Sequence, residues 1–181
     1  YSMMRNWMGT EGLSLMFYDD PGLVHECLEF LTEFITGWLE EPLKKAEFDL
    51  YYIHEDMAGK NGPLVSPGIF REFFSPYYRI FVDFLIRCGV KNIIVDTDGN
   101  FEVLIPEFLN TGVDGFGPIE RAAGLHPLEL RKKYGKSFCM IGGIDKRKLG
   151  EGNRAIEKEL MEIIPPLLEK GGYIPTIDHS V

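Results

Sequence analysis

Glu55, Asp56, Asp96, Asp98, Glu120, Asp145, Asp178 and His179 each close, or closely follow, a short apolar run. Carboxylates and an imidazole so spaced are the groups that exchange protons near neutral pH or hold a cation. Asp96 and Asp98 lie two apart on an extended segment, which aims both side chains to one face and permits chelation by the pair. His54 stands beside Glu55 and is a further candidate, whereas His25 and His126, near helix starts, read as surface residues or caps. Cys139 lies among Phe138, Met140 and Ile141 and reads as core. Lys146, Arg147 and Lys148 form a basic cluster beyond Asp145, able to receive a phosphate or carboxylate but more often a solvated face. Acids at strand ends also cap helices, and Asp98 before Gly99-Asn100 suits an Asx turn as well as a catalytic role.

The elements that must position these groups alternate in type. Asp20 as cap and Pro21 at the first position open a helix with Val24, Leu28, Leu31, Ile35 and Trp38 at helical spacing, ending near Glu41 ahead of Pro42. Residues 48–56 read as a strand, Gly59 to Gly62 as a turn, and Ser66-Pro67 as the start of a helix to Cys88, bent at Pro76. Phe70, Phe74, Tyr77 and Phe81 form its apolar stripe. Asn92 to Asp96 is a continuous apolar run closed by polar residues, the pattern of a strand buried on both faces. Helix 101–111, strand 113–118, helix 126–134, strand 137–144, helix 153–170 and strand 172–179 follow, and Pro165-Pro166 should kink or split the last helix.

Five strands alternating with five helices imply a parallel α/β architecture in one domain over residues 1–181. No Gly-x-Gly-x-x-Gly follows any strand, which argues against a dinucleotide-binding doubly wound sheet. Polar residues at successive strand ends suit an eight-stranded β/α (TIM) barrel, whose active site lies there. Five units are too few to close such a barrel of ~250 residues. The reading is therefore an incomplete TIM barrel, a fragment lacking the first strands and the extreme C-terminus.

Composition narrows the partners. The 181 residues are 45% hydrophobic and 13% aromatic with a formal charge of −9, enough for a packed core and poorly suited to nucleic acid or anionic membranes. No apolar run approaches the ~20 residues of a membrane span. Three scattered cysteines fit a reducing cytoplasm better than a disulfide framework.

Five stretches carry a family likeness: Phe17-Tyr18-Asp19-Asp20-Pro21, Glu55-Asp56-Met57-Ala58-Gly59, Ser66-Pro67 with Phe70, Gly142-Gly143-Ile144-Asp145, and Asp178-His179-Ser180. Together they resemble the uroporphyrinogen decarboxylase superfamily, and the likeness covers nearly the whole chain. That superfamily contains the heme-pathway decarboxylase and zinc-dependent methyltransferases that move methyl groups between a corrinoid and a thiol. The resemblance implies a barrel enzyme with a small-molecule substrate. Asp96 and Asp98 stand where the thiol methyltransferases carry a His-x-Cys pair, and His179 where their later cysteine falls. Two carboxylates and one imidazole would take Zn²⁺ and would also suit Mn²⁺ or Fe²⁺. In the heme-pathway decarboxylase Gly-His-Gly occupies the place of Asp178-His179-Ser180, so His179 matches there while its neighbours differ.

Electrostatics ranks the expected activities. The strand ends collect Glu55, Asp56, Asp96, Asp98, Glu120 and Asp178 with only His179 to offset them. Such a mouth repels a polycarboxylate and favours a cation. The expectation is thus metal-dependent methyl transfer with a corrinoid-protein partner, the metal held by Asp96, Asp98 and His179. Glu55, Asp56, Glu120 and His179 are the acid–base candidates, with Glu55 and Glu120 alternatively orienting the ligands. The alternatives are metal-free decarboxylation of a tetrapyrrole side chain and a non-catalytic ligand-binding barrel.

Overall fold

A computed structural model describes residues 1–179. The chain opens with helix α1 (Ser2–Asp19), which turns sharply at Gly9, where φ is 74° and only glycine sits without strain. Its two halves bury Met4, Leu13 and Phe17. This helix lies in a stretch that the apolar spacing left unassigned. Helix α2 (Pro21–Lys45) follows, capped by Asp20 Oδ1, which accepts from the Leu23 nitrogen at 3.0 Å.

Helix α2 runs through Pro42 instead of stopping at Glu41. The carbonyl that Pro42 leaves without a donor belongs to Trp38, which is exposed and can turn to water. Leu39 and Leu43, one turn apart and buried, hold the last turn in place. The same logic applies to Pro165-Pro166. Helix α7 (Asn153–Lys170) is not split there, because the carbonyls released belong to exposed Met161 and Glu162.

Between these lie β1 (Tyr51–His54), a tight antiparallel hairpin of β2 (Ala58–Gly59) and β3 (Gly62–Pro63), and the helical run α3 (Pro67–Ile69) to α4 (Ser75–Arg87). The bend expected at Pro76 takes the form of a wide π turn over Phe70–Phe74, where the Ser75 nitrogen donates to the Phe70 carbonyl. That register shift absorbs the donor that proline lacks. Strand β4 (Ile93–Asp96), α5 (Ile105–Leu109), β5 (Gly115–Gly117), α6 (Pro127–Tyr134), β6 (Cys139–Ile141), α7 and β7 (Tyr173–Ile174) complete the order.

Strands β1, β4, β5, β6 and β7 form one parallel sheet in that spatial order. Its register sorts the side chains. Ile53, Val95, Phe116, Met140 and Tyr173 are buried on the face that the helices cover. Tyr52, His54, Ile94, Asp96, Gly115, Gly117, Cys139 and Ile141 alternate onto the other face. There Tyr52 and Ile174 stay exposed, and Cys139 is half-buried on this face and not in the core. The sheet is a parallel β/α array of the barrel type that does not close, with β1 and β7 as its two edges.

Aromatic rings bind the helical layer to the sheet. Phe70 meets Phe108 edge-on at 4.5 Å between centroids, Phe108 meets Phe116 at 5.7 Å, and Phe116 meets Phe138 at 5.2 Å. Each fully buried ring contributes about 1.5–3 kcal/mol through removal of its surface from water. This cluster fixes the strands whose ends carry the acids.

Candidate active site

The strand ends converge at one rim of the sheet, and His179 meets Asp98 there. Nε2 of His179 lies 2.9 Å from Asp98 Oδ1. An ionised carboxylate only accepts, so Nε2 carries the proton in this contact. His179 Nδ1 is buried with no partner among the described residues. Ser180 of the Asp178-His179-Ser180 stretch lies outside the described residues.

A second carboxylate–imidazole pair forms one strand away. His54 Nδ1 lies 3.2 Å from Asp96 Oδ2, and its Nε2 lies 3.9 Å from Asp56 Oδ2. The hydrogen bond to Asp96, helped by the nearby charges of Asp56, Asp96 and Asp98, raises the His54 pKa above the ordinary imidazole value. Asp96 and Asp98 thus meet different imidazoles. Strand β4 ends at Asp96, and from Thr97 the chain turns through Gly99 at φ 78°, so the two-residue alternation no longer applies to Asp98.

The proposed metal ligands are thus divided between two pairs, Asp96 with His54 and Asp98 with His179. Among the described residues no group of three or more His, Cys, Asp or Glu side chains is gathered to hold a metal ion. As arranged, these donors do not fit a three-ligand centre.

The remaining acids have partners inside the protein. Glu55 accepts from the nitrogens of Tyr1 and Ser2 at 2.9 and 3.0 Å, where α1 begins with free N–H groups. Asp56 faces Arg5 Nη2 at 3.4 Å, and its carbonyl accepts from Nη1 at 3.1 Å. Glu120 Oε2 accepts from the Gly99 nitrogen at 2.7 Å. Buried Asp178 accepts from the nitrogens of Arg121 at 3.0 Å and Lys146 at 3.4 Å. Asp145 caps the turn after β6 and is gripped by Arg147 Nε and Nη2 at 2.8 and 2.7 Å, which lowers its pKa. Lys148 pairs with Glu151, so Arg147 and Lys148 of the basic cluster serve neighbouring acids.

Two functional-looking side chains escaped the sequence reading. Arg121 Nη1 lies 3.2 Å from Glu159 Oε1 and 3.3 Å from the Gly143 carbonyl. Glu159 also accepts from the Asp145 nitrogen at 3.1 Å. The usable signal was Glu159 itself, an acid four and eight residues before Ile163 and Leu167 on the buried stripe of α7. Of the six acids that the sequence gathers at the strand ends, Asp56 meets an arginine, Arg5, while Arg121 and Arg147 pair instead with Glu159 and Asp145.

Beside the rim, a cleft of about 280 Å³ runs along β1 and reaches His54 and Glu55. Aromatic and aliphatic side chains line most of it, among them Tyr51, Phe74, Tyr77 and Phe81. His126 accepts from the Leu128 nitrogen as the cap of α6, and His25 stacks on Phe73 away from the rim. Among the described residues no helix is long and apolar enough to cross a membrane.

The chain is similar to a uroporphyrinogen decarboxylase of Alcanivorax borkumensis, 24% identical over 171 residues that cover 93% of this chain and 46% of the relative. It is likewise similar to a uroporphyrinogen decarboxylase of Pseudomonas fluorescens, 24% identical over 169 residues, 92% of this chain and 45% of the relative. It therefore spans about half the length of the curated relatives it matches. A family profile described as uroporphyrinogen decarboxylase (URO-D) matches residues 1–181. With that match from end to end, the parallel strand order and the acid–imidazole rim, the chain belongs to the uroporphyrinogen decarboxylase family.

Proposed function

We propose that this chain supplies proton-transfer machinery to a carboxy-lyase whose substrate is a small carboxylated molecule, of the tetrapyrrole type that the relatives' names indicate. The single observation behind the reading is the 2.9 Å contact of His179 with Asp98 at the strand ends. In decarboxylation the bond from carbon to the carboxyl group breaks, carbon dioxide leaves, and the electron pair stays on carbon. That carbon then takes a proton. An imidazolium held by a carboxylate supplies that proton to the carbon and regains it from water. The pairing of Asp56 with Arg5 supports the same reading, because it offsets part of the repulsion that an anionic substrate would meet.

The test is carbon dioxide release from uroporphyrinogen by the full-length protein and its variants. His179→Gln and Asp98→Asn should each lower kcat by ~10²–10⁴-fold, the usual worth of a positioned acid. Wild-type turnover in either variant would defeat the assignment. Metal-dependent methyl transfer with a corrinoid-protein partner needs Asp96 to leave His54 and turn toward Asp98. Stoichiometric retention of a divalent ion that is lost in Asp98→Asn would put that activity in place of decarboxylation.

A further inference from the structure

Two adjacent residues after β5 reach both halves of the Asp98–His179 pair. The Glu120 side chain accepts from the nitrogen of Gly99, the residue after Asp98, at 2.7 Å. The backbone nitrogen of Arg121 donates to the carboxylate of Asp178, the residue before His179, at 3.0 Å. Asp98 and His179 are 81 positions apart in sequence, and neither sits inside a strand. Something must hold both ends to a common register.

Residues 120–121 are themselves fixed from below. Arg121 is tied to Glu159 of α7 and to the Gly143 carbonyl, and Glu159 also receives the Asp145 nitrogen. Asp178 is further held through its own nitrogen, which donates to the Ile144 carbonyl at 3.0 Å. The Glu159 and Asp178 carboxylates are buried, and low local dielectric strengthens such contacts.

We infer that Glu120 and Arg121 are the positioning residues of the Asp98–His179 pair, with Glu159 anchoring Arg121, and that Glu120 itself is not a proton donor to substrate. This rests on the proposed role of the pair, but its test uses no substrate and so fails or succeeds separately from that role.

The probe is diethyl pyrocarbonate, which attacks an imidazole nitrogen bearing a free lone pair. In the pair, His179 Nε2 is a donor to Asp98 and Nδ1 is buried, so His179 should react slowly. The more exposed His54 serves as reference in the same sample, with both sites read by mass spectrometry of their peptides. Glu120→Ala should raise the His179 rate roughly five-fold relative to His54, the factor that one lost hydrogen bond represents. Glu120→Gln keeps an acceptor for the Gly99 nitrogen and should restore the slow rate. If Glu120→Ala does not fold, Glu120→Asp, one methylene too short to reach Gly99, should give the same rise. A merely stabilising Glu120 would lower the melting temperature in these variants and leave the His179 to His54 ratio unchanged. That unchanged ratio in a folded Ala or Asp variant would overturn the inference.

Discussion

His54 and His179 both face carboxylates at the rim, yet their surroundings differ. His54 is largely exposed and answers to Asp96, which raises its pKa through the shared hydrogen bond. The raised value means that the charged imidazole is favoured in the folded chain. That contribution is complete below the unfolded imidazole value near 6.5 and is lost as pH rises through the folded one. Asp96→Asn should therefore lower the His54 midpoint in an NMR pH titration, and an unmoved midpoint would show that Asp96 does not set it. At this scale the sequence disclosed position better than partnership. Asp98 and His179 were legible because polar residues after apolar runs fall at strand ends. The partners of Glu55, Asp56 and Glu120 were not, because the donors that satisfy them sit at Ser2, Arg5 and Gly99, and no local spacing encodes such distant pairings.

Among the elements, the turn after β4 is tightly constrained. A Cβ on Gly99 would lie 2.6 Å from the Gly59 carbonyl oxygen and 2.7 Å from the Ala58 carbonyl carbon, at a positive φ. Gly99→Ala should cost about 1–3 kcal/mol in urea unfolding and disturb Asp98 next to it; wild-type stability would refute the close approach. Helix α6 carries a second constraint that hydrophobic periodicity did not reveal. Arg131 is buried and donates to the carbonyls of Gly135, Phe138, Gly171 and Gly172, joining the end of α6 to the starts of β6 and β7. Arg131→Met should destabilise by about 3 kcal/mol, since it strands carbonyl acceptors away from water; a loss within measurement error would contradict that role. The alternation of helices and strands was legible throughout. Pro42 misled, as did the split considered at Pro165-Pro166, because proline's cost depends on whether the carbonyl it abandons can find water, and that is a property of the fold.

For the molecule as a whole, the parallel order and the unclosed sheet agree with five βα units read from the sequence, and the match to about half of each relative agrees with them. Among the described residues β1 and β7 are the edges of the sheet, and one face carries exposed Tyr52 and Ile174. Unpaired strand edges recruit other strands. The 181-residue chain on its own should associate with rising concentration in analytical ultracentrifugation, and Tyr52→Lys on β1 should suppress that association. A strictly monomeric wild-type chain would count against the open edge as a sticky surface. The Arg131 cluster bears on solvent conditions as well. Its four acceptors are peptide dipoles and not opposite charges, so dissolved electrolyte has little with which to screen them. In concentrated sodium chloride the outer lysine–glutamate contacts, such as Lys44 with Glu40, should weaken first, while the end of the sheet opposite the acids stays fastened.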